Sequence, residues 1–75
     1  MENGQATSQV MIHVRFAPDG AVTEISERPT TVSAQDWFNR LSDQAGMHYQ
    51  PLSGGRGLFR LNPDEVKALK AAATH

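Results

Sequence analysis

Cysteine is absent from this sequence, and so is any apolar run as long as a signal-peptide core or a membrane span. The first absence excludes disulfide bonds and thiolate metal sites. Together the two absences lead us to expect a soluble, cytoplasmic protein that does not act on a membrane. The chain has 75 residues, so we expect one small domain that buries only about 60% of its unfolded surface. Self-association is one remaining way to stabilise such a domain.

A large charge of one sign is also missing. The net charge is −1, so no overall field draws the molecule onto nucleic acid or anionic lipid. The charges are nevertheless divided unevenly along the chain. Residues 1–49 contain three arginines against six carboxylates, whereas residues 50–75 contain four basic side chains against two. The basic part includes the glycine-rich stretch "LSGGRG".

The residue patterns of catalysis and metal binding are missing as well. The three histidines are far apart in the chain and lack the spacing of metal ligands. The serines have no setting such as G-x-S-x-G, and a domain this small has little volume for a substrate pocket. We therefore expect a protein that is not an enzyme and has no metal or cofactor.

A β-hairpin is predicted near the start of the chain. "VMIHVRF" alternates apolar and polar residues as a half-buried strand does, and after "PDG" the stretch "AVTEIS" returns. A two-residue turn at Asp19–Gly20 pairs Val14 with Ile25, whereas a three-residue loop would place Glu24 opposite Val14 on the core side. We predict the two-residue turn, which leaves Val22 on the outer face of the hairpin.

Two helices have clear start signals. Ser33 precedes an apolar stripe as an N-cap, and Gly46 marks the end of that stripe. Asn62 begins the second helix, where Glu65 completes a capping box. The predicted core consists of Ile12, Val14, Phe16, Ile25, Trp37, Phe38, Leu41, Phe59, Leu61, Val66 and Leu69.

The elements follow the order β-β-α-(β)-β-α, which predicts an α+β fold. We expect an antiparallel sheet of three or four strands with both helices packed on one face. Residues 58–61 form the last strand, whereas residues 47–52 are a weaker candidate because a proline in the stretch argues for an edge. The domain is predicted to span residues 10–73, after a disordered tail at residues 1–9.

The stretch "SGGRG" is predicted to be a turn and not a phosphate-binding loop. Phosphate loops place glycines before a helix, whose N-terminus then faces the anion. Here the glycines precede a strand, so no helix N-terminus would face a bound phosphate. The turn leaves Arg56 as its one residue with functional potential.

We expect a non-catalytic binding protein. The first hypothesis is a protein-interaction or accessory module that binds an unidentified protein or a second copy of itself, as a homodimer, through a sheet edge or the exposed sheet face. The alternative is a nucleic-acid-binding module. Its candidate anion or partner contacts are Arg56, Arg60, Lys67 and Lys70.

Overall fold

The structure, a computed structural model that describes residues 9–74, contains four strands and two helices in the predicted order. The elements are β1 (Val10–Phe16), β2 (Val22–Ile25), α1 (Ala34–Ala45), a 3₁₀ turn (Gly46–His48), β3 (Tyr49–Leu52), β4 (Arg56–Leu61) and α2 (Pro63–Ala73). The weaker strand candidate, residues 47–52, is confirmed as β3, although this strand begins two residues later than expected. Of the predicted tail, only Gln9 lies within the described residues.

All four strands belong to one antiparallel sheet in the order β2-β1-β4-β3. Both helices pack on the same face of this sheet, where they bury one continuous core. The buried core residues are Ile12, Val14, Val22, Ile25, Val32, Trp37, Leu41, Ala45, Phe59, Leu61 and Val66. Three predicted core residues are only half-buried at its margin: Phe16, Phe38 and Leu69.

The hairpin between β1 and β2 has the predicted register but not the predicted turn. Val14 pairs with Ile25, as apolar burial requires. The turn is the three-residue alternative, because the amide of Ala17 donates to the carbonyl of Ala21 (2.8 Å). A β-bulge absorbs the extra residue, since Thr23 has no partner between the paired residues of β2. The bulge also turns Val22 into the core, so its predicted outer position is wrong.

Both helix starts are confirmed. The hydroxyl of Ser33 accepts a hydrogen bond from the Asp36 amide (3.1 Å). Asn62 and Glu65 form the reciprocal capping box at the start of α2. Helix α1 ends before Gly46 as predicted, but Gly46 has right-handed helical angles and continues the chain into the 3₁₀ turn.

Ser26 joins the hairpin to helix α1. Its amide donates to the carbonyl of His13 (3.0 Å), and its hydroxyl accepts from the His13 amide (2.9 Å). Its own carbonyl accepts from the indole Nε1 of Trp37 (3.2 Å). One residue after β2 therefore fixes both the neighbouring strand and the largest side chain of the core.

The stretch "SGGRG" is a turn over its first three residues only, because Arg56 and Gly57 already belong to β4. Residues 53–55 connect β3 to β4, and Gly54 and Gly55 have φ angles of 78° and 71°, where side chains are disfavoured. Gly57 has a different role, because the Tyr49 ring occupies the place that a side chain would fill. The three glycines thus serve the hairpin and the packing of the tyrosine.

Candidate binding face of the sheet

One face of the sheet is left uncovered by the helices. Alternation along β1 and β4 sends Ile12, Val14 and Phe59 toward the helices, so their strand neighbours point to the other side. We call this surface the open face. It is formed by Met11, His13, Arg15, Glu24, Gln50, Leu52, Arg56, Leu58 and Arg60.

An apolar centre lies on this face. Leu58 is outside the helix-side core and is nevertheless only 5% exposed. Its direct cross-strand neighbours are His13 and Gln50, so the side chains of the open face itself shield it. Met11 lies on the same face and is 50% exposed. The open face therefore presents methionine surface at Met11, whereas Leu58 is an apolar centre that its own neighbours cover.

Arginine dominates the charge of the open face. The chain has seven Lys and Arg residues against eight Asp and Glu residues, but this face carries three arginines and one glutamate. Arg15 Nε lies 3.7 Å from the Glu24 carboxylate, and both side chains are largely exposed. Arg60 donates to the side-chain oxygen of Gln50 (2.7 Å). The open face is basic, while the remaining residues of the chain are acidic in sum.

Two of these arginines are direct cross-strand neighbours. Arg15 of β1 pairs with Arg56 of β4, and like charges in opposite positions destabilise a sheet. The Arg56 Nε donates to the carbonyl of Ser53 (3.2 Å), a neutral acceptor. A solvent-open depression of about 690 Å³ is lined by both arginines, by His13 and Glu24, and also by Arg28 and by Ala34 at the start of α1.

The structure divides the four basic residues singled out in the sequence. Arg56 and Arg60 lie together on the open face. Lys67 and Lys70 belong to α2, which packs on the opposite side of the sheet. Lys70 is also paired with the carboxylate of Glu27 (2.6 Å). Arg56 and Arg60 therefore share a surface with residues of β1, and they do not share one with the lysines of α2.

Arg15 was not among the candidate site residues. The alternation of β1 places it on the outer side of the hairpin, and this much is visible in the sequence. Its position beside Arg56 follows from the pairing of β1 with β4, for which the sequence carries no local signal.

No aromatic side chain lies on the open face. The chain has three phenylalanines, one tryptophan and one tyrosine, and all five belong to the helix-side core or pack against it. Proteins that bind single-stranded nucleic acid on a sheet stack bases on exposed aromatic rings. This surface offers only guanidinium groups and one imidazole for that purpose.

The two sheet edges are short and partly blocked. Edge strand β2 has four residues, and its Val22 amide donates to the side-chain oxygen of Gln35 (3.0 Å). Edge strand β3 also has four residues and contains Pro51, which has no amide hydrogen to donate. These features are typical of edges that avoid pairing with other strands.

Comparisons with known proteins give no family for this chain: no family model, no curated protein and no solved structure matches it. Within residues 9–74, neither helix has the length and apolar character needed to cross a bilayer. The same part of the chain contains no group of three or more His, Asp or Glu residues arranged to hold a metal ion. Function is therefore inferred from the open face alone.

Proposed function

We propose that this protein is a non-catalytic interaction module whose open face binds an acidic surface of a partner protein. The observation that carries the proposal is the composition of that face. Met11 is half-exposed and lies among three arginines, and methionine and arginine are both enriched in protein interfaces. The partner surface is acidic because the charge of the open face is basic.

The blocked edges favour the face over edge pairing as the contact surface. Val22 and Pro51 each remove one backbone donor from an edge, whereas the open face keeps its full width of four strands. A homodimer remains an outcome of the test, since the rest of the chain is acidic and a second copy offers carboxylates. A cytoplasmic location is part of the proposal, and the lack of cysteine is consistent with it.

Nucleic-acid binding is the second candidate, and the three arginines of the open face favour it. Arginine binds phosphates in a bidentate manner. Against this candidate, the open face has no aromatic platform, and Lys67 and Lys70 lie on α2 and do not extend a phosphate track. The two candidates differ in their salt dependence, because phosphate contacts release counterions and lose affinity steeply as salt rises.

The test is affinity capture with variants of matched charge. The double variant Met11→Gln with Arg60→Glu changes the open face, and the control Arg40→Glu makes the same change of net charge at an exposed arginine of α1 on the helical side. We expect wild type and Arg40→Glu to retain the same acidic protein, and the double variant to lose it. The captured partner is then purified, and amide NMR spectra of the complex locate its contacts.

Two results contradict the proposal. Binding that depends on Arg40, or amide shifts confined to the helices, places the interface elsewhere. A mixed-sequence oligonucleotide that shifts the open-face amides more strongly than the purified partner, with an effect that disappears on adding salt, replaces the protein partner with nucleic acid. Tumbling times measured at two protein concentrations identify self-association.

A further inference from the structure

We propose that Arg15 and Arg56 together bind a single carboxylate group of an acidic peptide segment. This inference rests on the proposed function, because it assigns one chemical contact within the open face. The first observation is the register. The two arginines are direct cross-strand partners, an arrangement that repels within the free protein. A bound anion between them converts that repulsion into two attractions.

The second observation is how each guanidinium is held. Arg56 Nε donates to the Ser53 carbonyl (3.2 Å), a hydrogen bond that orients its guanidinium. Arg15 Nε lies 3.7 Å from the Glu24 carboxylate in a looser, exposed ion pair. The Nη1–Nη2 edge of each group is the fork that matches the two oxygens of a carboxylate.

The third observation is space. The depression of about 690 Å³ is lined by both arginines, a volume in the range of small-ligand sites. It is open to solvent, so an acidic side chain of a peptide that lies across the sheet can enter it. His13 also lines the depression, directly opposite Leu58.

A carboxylate fits this setting better than a phosphodiester chain. A nucleic-acid strand carries a charge at every nucleotide and is bound along a track of cations with stacked bases. The depression offers the adjacent pair Arg15 and Arg56, one nearby carboxylate from Glu24 and no aromatic ring. A third arginine of its lining, Arg28, already donates from Nη1 to the carbonyl of Val32 (2.6 Å). One carboxylate of an acidic peptide segment matches this pair of arginines.

The experiment is an NMR titration of the full chain at low salt. The probe is a blocked oligoglutamate peptide, and an oligoglutamine peptide of equal length is the reference. We expect the Nε–H signals of Arg15 and Arg56 to shift with oligoglutamate alone. Arg15→Gln and Arg56→Gln each weaken this binding by about fivefold, as expected for an exposed charge pair. The matched control Arg40→Gln changes it by less than about twofold.

Three outcomes overturn the inference, and none of them is the outcome that overturns the proposed function. Equal affinity of Arg15→Gln, Arg56→Gln and Arg40→Gln removes the site while leaving the open face available to a partner. Shifts that oligoglutamine also produces exclude carboxylate recognition. Inorganic phosphate that competes more strongly than oligoglutamate reassigns the pair to a phosphoryl group. The capture experiment tests the face independently, because its double variant leaves both arginines unchanged.

Discussion

Gly57→Ala is expected to destabilise the protein by displacing an aromatic ring on the helix side of the sheet. A Cβ atom at this position would overlap Oη of Tyr49 and lie 2.6 Å from two of its ring carbons. The strand backbone accepts alanine, since Gly57 is not among the residues with positive φ. The tyrosine must therefore move away.

The magnitude follows from what the tyrosine loses. The ring of Tyr49 packs against Phe59 with a centroid distance of 4.9 Å and against Phe38 at 6.0 Å. Each such pair contributes about 0.5 to 1.5 kcal/mol, so losing both costs about 1 to 3 kcal/mol. Alanine in a strand recovers about 0.5 to 1 kcal/mol of backbone entropy relative to glycine. The expected net loss in the free energy of unfolding is therefore about 0 to 2.5 kcal/mol, with about 1 kcal/mol at the middle of the two ranges.

The assay is urea unfolding of four proteins in a double-mutant cycle: wild type, Gly57→Ala, Tyr49→Ala and the double variant. With the ring absent, Gly57→Ala should stabilise the protein by about 0.5 to 1 kcal/mol. The backbone gain is the same in both backgrounds and cancels, so the coupling equals the ring loss of about 1 to 3 kcal/mol. Gly46→Ala is the glycine control, because a Cβ there meets no atom within 4 Å. Equal effects of Gly57→Ala in both backgrounds would refute the reasoning.

Two further predictions concern stability. Trp37→Ala should cost about 3 to 5 kcal/mol because the side chain is fully buried, whereas Arg56→Ala should change stability by less than about 0.5 kcal/mol; comparable losses in thermal unfolding would contradict the assignment of the two residues to core and surface. Ser26→Ala should cost about 1 kcal/mol because its hydroxyl accepts the His13 amide. Ser42→Ala, on an exposed position of α1, should be neutral or slightly stabilising; if Ser26→Ala behaves in the same way, the hydroxyl does not hold the hairpin.

Helix starts were predictable because their signals are local. The side chains of Ser33 and Asn62 bond to amides three residues later, and nothing distant in the chain has to be known. The end of α1 was located for the same reason. Its continuation through Gly46 into a 3₁₀ turn was not predicted, because glycine suits a left-handed cap and a right-handed turn alike.

In the hairpin, burial of the core determines the strand register, whereas the turn residues determine the loop length. Burial of Val14 and Ile25 fixes the register, but it does not fix the turn. Pro18 favours the first central position of a type I turn, and Gly20 then supplies the positive φ of 91°. That loop is one residue longer than the register allows, and the bulge at Thr23 reconciles the two. The proline was a visible signal for the three-residue loop.

The sequence predicts which residues of each strand point to the open face, but not which strands lie side by side. Alternation within β4 alone places Arg56, Leu58 and Arg60 on one side, and alternation within β1 places Arg15 on the outer side of its hairpin. Grouping Arg60 with Lys67 assumed that neighbours in the chain share a surface, yet α2 crosses to the other side of the sheet directly after β4.

What local patterns lacked was the pairing of β1 with β4, two strands separated by the whole of β2, α1 and β3. Pairing at that distance is decided by burial of the common core and not by any turn between the two strands. Once it is known, the position of every residue on the open face follows from the register, including the juxtaposition of Arg15 and Arg56. The most informative arrangement on this surface is thus a product of tertiary structure, although both of its residues lie on strands whose alternation is plain in the sequence.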